Sequence, residues 1–149
     1  MNQNKLIFKV IWKDDEMFEM NISVNNGRYS GITEVYETSE SLLKFTKELN
    51  GFPFEKDKIS HSCGQKNSYA FFQMDLYKIG TSGICGAKIT MEGNVPSDYN
   101  EAEKEKLSIE LIIEPNAIDN FYQELKHLAI NEDGTAELLG INKYSNNIA

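Results

Sequence analysis

Between Met17 and Val24 the chain alternates without a break, with Phe18, Met20, Ile22 and Val24 on one side and Glu19, Asn21 and Ser23 on the other. A strand repeats every two residues, so this segment fits an antiparallel strand with one face on a core and one in water. Asn25-Asn26-Gly27 follows and supplies the residues that tolerate positive φ in a tight hairpin. On the other side, across the polar turn Lys13-Asp14-Asp15-Glu16, Lys5–Lys13 forms a first strand. Leu6, Phe8, Val10 and Trp12 are expected on its inner face, with Lys5, Lys9 and Lys13 outside beside Ile7 and Ile11. A third strand is predicted over about Tyr29–Glu37, which makes the N-terminal third a β-meander.

The period then changes. Over Glu40–Leu49 the apolar residues Leu42, Phe45 and Leu49 recur at helical spacing, Thr38 or Ser39 can cap the start, and Asn50-Gly51 and Pro53 end it. Strands are predicted again over Ile59–Cys63, Tyr69–Leu76, Ile84–Met91 and Leu107–Ile113. Pro115 opens a second helix whose stripe is Ile118, Phe121, Tyr122, Leu125 and Leu128, and a last strand covers Thr135–Ile141. Ile32–Leu49 and Ser108–Leu125 both read as a strand running into a capped helix, sharing Glu34/Glu110, Phe45/Phe121, Glu48/Glu124 and Leu49/Leu125 at equal spacing. The expected architecture is α+β: a largely antiparallel sheet of about seven to eight strands with two amphipathic helices packed on it. It is read as one domain over 1–149, with an ordered core over about 5–141 and a frayed tail over 142–149. The polar segment 92–106, with Pro96 and a charge run, is expected to be a flexible excursion.

Charge narrows the class of partner. The formal net charge is −8, Arg28 is the single arginine, and 97–149 alone carries −7 from 4 basic and 11 acidic residues. Nucleic acid and anionic membranes both demand clustered basic side chains, so neither is expected as a partner. A basic protein is the natural complement. No apolar run approaches the roughly 18 residues of a membrane span, and the start lacks the pattern of a signal peptide, so a cytoplasmic location is expected. Cys63 and Cys85, the only cysteines, then read as free thiols.

Sets of residues with catalytic spacing are sparse. Gly80-Thr81-Ser82-Gly83 has no following Lys and precedes a strand, which argues against phosphate binding, and no nucleophile elbow occurs. His61 and Cys63 project to the same side of one strand, as a Cys-His nucleophile pair would, but no third group is visible in the sequence. His61, Cys63 and Cys85 could ligate a metal with His127 or a carboxylate, yet the paired spacing of readable zinc sites is missing. Asp14-Asp15-Glu16 is too short for a calcium loop, and Glu34, Glu37 and Glu40 read as surface charges at a helix entry. The expectation is therefore no catalytic residue, no cofactor and no metal. Tyr29, Tyr36 and Tyr99 are the aromatics with no place inside, which makes them candidates for a contact surface.

The stretch Gly27–Pro53, GRYSGITEVYETSESLLKFTKELNGFP, steps from a strand through an acidic junction into Leu-x-x-Phe-x-x-x-Leu and a Phe-Pro exit. An Ile-Glu-Leu strand running into Pro115-x-x-Ile118-Asp119-x-Phe121-x-x-x-Leu125 repeats the plan. In this order of elements the chain resembles the small bacterial proteins grouped near the WapI-type immunity proteins of contact-dependent toxin systems. The resemblance implies a non-enzymatic cytosolic domain that binds and neutralises a toxin domain. Toxin nucleases being generally basic, the expected contact residues are Asp98, Tyr99, Glu101, Glu103 and Glu105 in the acidic excursion. The rival reading is a small-molecule or enzymatic pocket between sheet and helices near His61, Cys63 and Cys85. A homodimer through an open sheet edge is a third.

Overall fold

The computed structural model describes residues 4–96 and 98–141, so the tail expected to fray over 142–149 lies outside the described residues. Its elements run β1 (Lys5–Lys13), β2 (Phe18–Asn25), β3 (Ser30–Glu37), α1 (Ser39–Gly51), β4 (Lys58–Gly64), β5 (Phe71–Lys78), β6 (Cys85–Glu92), β7 (Lys106–Ile113), α2 (Pro115–Asn131) and β8 (Thr135–Leu139). The fold is α+β, and the eight antiparallel strands divide into two sheets of four, ordered β3-β2-β1-β8 and β4-β5-β6-β7. Each sheet is a meander that ends on an edge strand and passes into a helix, β3 into α1 and β7 into α2. The last strand then returns to the first sheet beside β1. Among the described residues an isolated bridge, Ile112 to Ile141, ties the stretch after β8 to β7.

Side-chain period determines which faces meet. In the second sheet the inner row is Ile59, Cys63, Phe72, Met74, Leu76, Cys85, Ala87, Ile89, Met91, Ile109, Leu111 and Ile113, all buried. Against it lie Leu6, Phe8, Phe18, Met20, Ile22 and Val24 of the first sheet and the stripes of both helices, forming one core cluster. Phe8 joins all three layers, meeting Phe72 edge-on at 5.3 Å and Phe121 of α2 edge-on at 5.7 Å. Edge-to-face pairs of this kind add roughly 0.5–1.5 kcal/mol each to the burial itself.

The helix signals work as local chemistry predicts. Thr38 caps α1, its hydroxyl accepting the Ser41 N–H at 3.2 Å. Pro115 occupies the first turn of α2, which ends at Glu132 in the left-handed region with φ 52°. On the outer face of the second sheet the Tyr77 ring lies across Gly86, where any side chain would meet it, and its hydroxyl reaches Glu110 Oε2 at 2.7 Å. Gly86 is thus the gap that lets one tyrosine cross β6 and tie β5 to β7.

One expectation changes here: Trp12 does not join the inner face of β1. Val10 pairs with Met20 but Trp12 pairs with Glu19, so Ile11 is an extra residue in β1, and this bulge turns every later side chain over. Where the chain leaves β6, residues 93–95 are hydrogen-bonded to three other segments. Gly93 N–H donates to Glu105 O (2.9 Å), Val95 N–H to Tyr69 O (3.1 Å), and Asn94 exchanges two hydrogen bonds with the backbone of Glu34 (2.9 and 2.8 Å). Through Asn94 the segment covers part of the open edge of β3.

Candidate functional site

Two arrangements stand out once the chain is folded. The first is an outward aromatic row produced by the β1 bulge. Trp12 on β1 and Tyr36 on β3 both stand opposite Glu19 of β2, and their rings meet edge-on at 6.1 Å. Tyr69, from the loop between β4 and β5, stacks on Tyr36 at 6.4 Å. All three are close to half exposed, at 46%, 46% and 47%. The carboxyl of Glu19 is pushed up by burial and by neighbouring Glu34, and the Glu19 charge in turn raises the Tyr36 hydroxyl.

The acidic excursion is attached to this row. Tyr69 O accepts from Val95 N–H, and Asn67 in the same loop accepts the Tyr99 hydroxyl at 2.8 Å through its carbonyl. Beneath them Lys104, its side chain fully buried, lies 3.4 Å from Glu92 Oε1, donates to Ser68 O, and sits 5.2 Å from the Tyr99 ring. Glu92 Oε1 also accepts the Asn67 N–H at 2.8 Å. Of the residues expected to contact a partner, Asp98, Glu101, Glu103 and Glu105 are exposed. Glu101 lies 3.5 Å from Lys106, and Glu103 accepts the Asn100 N–H at 3.0 Å, so two of these carboxylates also serve the segment's own shape. Tyr99 is only partly exposed, and Tyr29 stands out in water.

The second arrangement is a buried polar trio where the sheets meet. Glu37 ends β3, while His61 and Cys63 lie two residues apart on the inner face of β4. His61 Nε2 is 2.6 Å from Glu37 Oε2, the Cys63 thiol donates to the same oxygen at 3.1 Å, and thiol and imidazole are 3.6 Å apart. The His61 and Glu37 side chains are only 9% and 6% exposed. Glu37 Oε1 accepts the Thr38 N–H at 2.9 Å, and the imidazole stacks on Phe45 at 4.8 Å. Burial drives the Glu37 carboxyl up. The hydrogen bond and charge of His61, with the Thr38 N–H and the thiol, outweigh that and leave it below its ordinary value. Burial and the Glu37 carboxylate both push the Cys63 thiol well up, so it stays protonated.

Glu37 is therefore not a surface charge at a helix entry. The chain turns into α1 immediately after it, and the odd-even phase of β3 that buries Val35 buries Glu37 too. Cys85 does not join the trio; its thiol donates to Gly83 O at 3.3 Å, and His127 stands exposed on α2 beside Asn131. The trio does not have the layout of a catalytic triad. A relay places the imidazole between acid and nucleophile, one ring nitrogen to each. Here one nitrogen faces both partners, and the thiol donates a hydrogen bond to the carboxylate at 3.1 Å while lying 3.6 Å from the imidazole.

Sequence reasoning found His61 and Cys63 together, and singled out Tyr36, but missed Glu37, Trp12 and Tyr69. The phase of β3 was available for Glu37, since Val35 and Glu37 share a face. Nothing in the spacing around Ile11 marks the bulge that exposes Trp12. No protein-family model, curated protein or solved structure matches this chain.

Proposed function

We propose that this domain is a non-enzymatic protein-binding module that docks a basic protein surface, in the manner of an immunity protein that neutralises a toxin domain. The observation that carries the reading is the exposed row Trp12–Tyr36–Tyr69, in which Tyr36 contacts both other rings and Trp12 and Tyr36 flank Glu19. Tyr and Trp are the residues that most often dominate binding energy, because they present large rigid surfaces with a polar tip. Glu19 lies between Trp12 and Tyr36, Glu34 lies near it, and the excursion bearing Asp98, Glu101, Glu103 and Glu105 is hydrogen-bonded to the loop that carries Tyr69. That combination suits a basic partner that offers arginine or lysine to ring faces and carboxylates alike. The protonated thiol of Cys63 and the single imidazole nitrogen shared by its neighbours support a role without catalysis.

The test is binding to the basic C-terminal domain of a secreted protein encoded beside this chain's gene, followed by calorimetry. Submicromolar affinity that weakens steeply with salt is expected, because rim charges are screened at about 8–10 Å in physiological buffer. Trp12→Ala and Tyr36→Ala should each weaken it by roughly 30-fold or more, about 2 kcal/mol, the size of a hot-spot truncation. Binding unchanged by both substitutions would remove the row from the interface.

A further inference from the structure

The buried trio of Glu37, His61 and Cys63 offers three donor atoms of three kinds, and all three face one another across a space under 4.8 Å. We propose that they form a binding site for a borderline divalent transition metal, zinc foremost, which clamps the end of the first sheet to the edge of the second. The argument is geometric. Tetrahedral ligands held about 2.0 Å (N, O) and 2.3 Å (S) from zinc stand roughly 3.3–3.6 Å apart. The thiol–imidazole separation is 3.6 Å already, and the thiol–carboxylate one is 3.1 Å. The 2.6 Å between imidazole and carboxylate must open by about 0.7 Å and the 3.1 Å between thiol and carboxylate by about 0.4 Å, which a shift of the Glu37 carboxyl alone supplies.

The donors are also fixed in place. The Thr38 N–H holds Glu37 Oε1 and leaves Oε2 for the ion, while Phe45 stacks on the imidazole and sets its plane. Sulfur and nitrogen together with one carboxylate select zinc, cobalt or a similar ion over magnesium or calcium, which take oxygen alone. His61 also lines a surface groove of about 370 Å³ with Ser41, Lys44, Phe45 and Glu48, which gives the ion an entry and a fourth ligand from water. On binding, the thiol proton and any proton between Glu37 and His61 leave to solvent, and the ion takes their place. The site joins β3 to β4, two strands that hydrogen-bond in different sheets.

The experiment is cobalt titration of the reduced, chelator-treated full chain, followed by absorption. One equivalent should bind with a near-ultraviolet thiolate-to-cobalt charge-transfer band and intense visible bands of four-coordinate cobalt, and zinc should abolish both. Because the chain has only two cysteines, retention of the band in Cys85→Ser assigns it to Cys63 even where a Cys63 variant folds poorly. Cys63→Ala and His61→Gln should each weaken cobalt binding by at least about 100-fold, the upper end of what outer-shell changes do. No charge-transfer band at millimolar cobalt would overturn the proposal. So would a band that vanishes in Cys85→Ser or survives in Cys63→Ala.

Discussion

Truncating Glu37 to alanine removes the acceptor on which the buried trio converges. In the metal-free chain Oε2 accepts from both the imidazole and the thiol, while Oε1 accepts from the Thr38 backbone. Thr38 is exposed, so its N–H can turn to water at little cost. The thiol cannot, and the imidazole reaches water only through the groove that His61 lines; a buried donor without a partner costs about 1–3 kcal/mol. With the cavity left by the carboxyl, the sum is about 3–5 kcal/mol, the range for removing one partner of a buried, hydrogen-bonded pair. For a chain near 150 residues each kcal/mol moves Tm by about 2–4 °C, so Glu37→Ala should melt about 6–20 °C below the parent. The assay is urea unfolding and thermal melting in chelator and reductant. The same physics predicts that the triple substitution Glu37→Leu, His61→Leu and Cys63→Ala regains more than half of the loss, because no polar group then remains unpaired. A Glu37→Ala protein melting within about 2 °C of the parent would refute this reasoning. A triple variant weaker than the single one would refute it equally.

Other consequences follow from neighbouring groups. Because the folded Glu37 carboxyl lies below its ordinary value of 4.5, its stabilising share is complete above that pH and disappears as pH falls through the lowered folded value. Acid unfolding of Glu37→Gln, followed by circular dichroism, should accordingly be flatter below pH 4.5 than that of the parent. Tyr77 is pushed up to about 12 by burial and by its hydrogen bond to Glu110, so stability should decline from pH 10 toward that value. Ultraviolet titration of tyrosinate should show a last-ionising tyrosine that is absent in Tyr77→Phe. Lys104→Met leaves Glu92 buried beside an apolar chain and frees Ser68 O, and should cost about 3 kcal/mol while speeding amide exchange over 93–105. Unchanged exchange there would show that Lys104 does not hold the excursion.

Alternation and helical spacing made most of the fold legible. β1 has the residue bounds its pattern indicates, and α2 opens at the proline that can only begin a helix. The paired strand-to-helix units also have a structural counterpart, since β3 and β7 are both edge strands that hand over to helices, and Phe45 and Phe121 both enter the core. Period alone could not say that the strands part into two sheets, because each strand of a two-layer packing shows the same one-sided pattern as a strand under helices. The bulge at Ile11 was hidden for a related reason: a single inserted apolar residue keeps β propensity and changes only the phase. Glu37 was misread because a carboxylate before a helix cap is ordinarily wet. Its burial depends on His61 and Cys63, which lie 24 and 26 residues further along the chain. The bonds of Val95, Tyr99 and Lys104 were invisible in the same way, resting on Asn67, Ser68 and Tyr69 in a loop far away in sequence.

The claim that charge and exposed aromatics, and not a buried catalytic centre, carry this domain's business is tested most directly by hydrogen exchange on the complex with the basic partner. Slowed amides should cluster in the second half of β1, in β3 around Tyr36, in the loop carrying Tyr69 and along 98–105. Protection confined to α2 and β8, with those segments unchanged, would contradict the account.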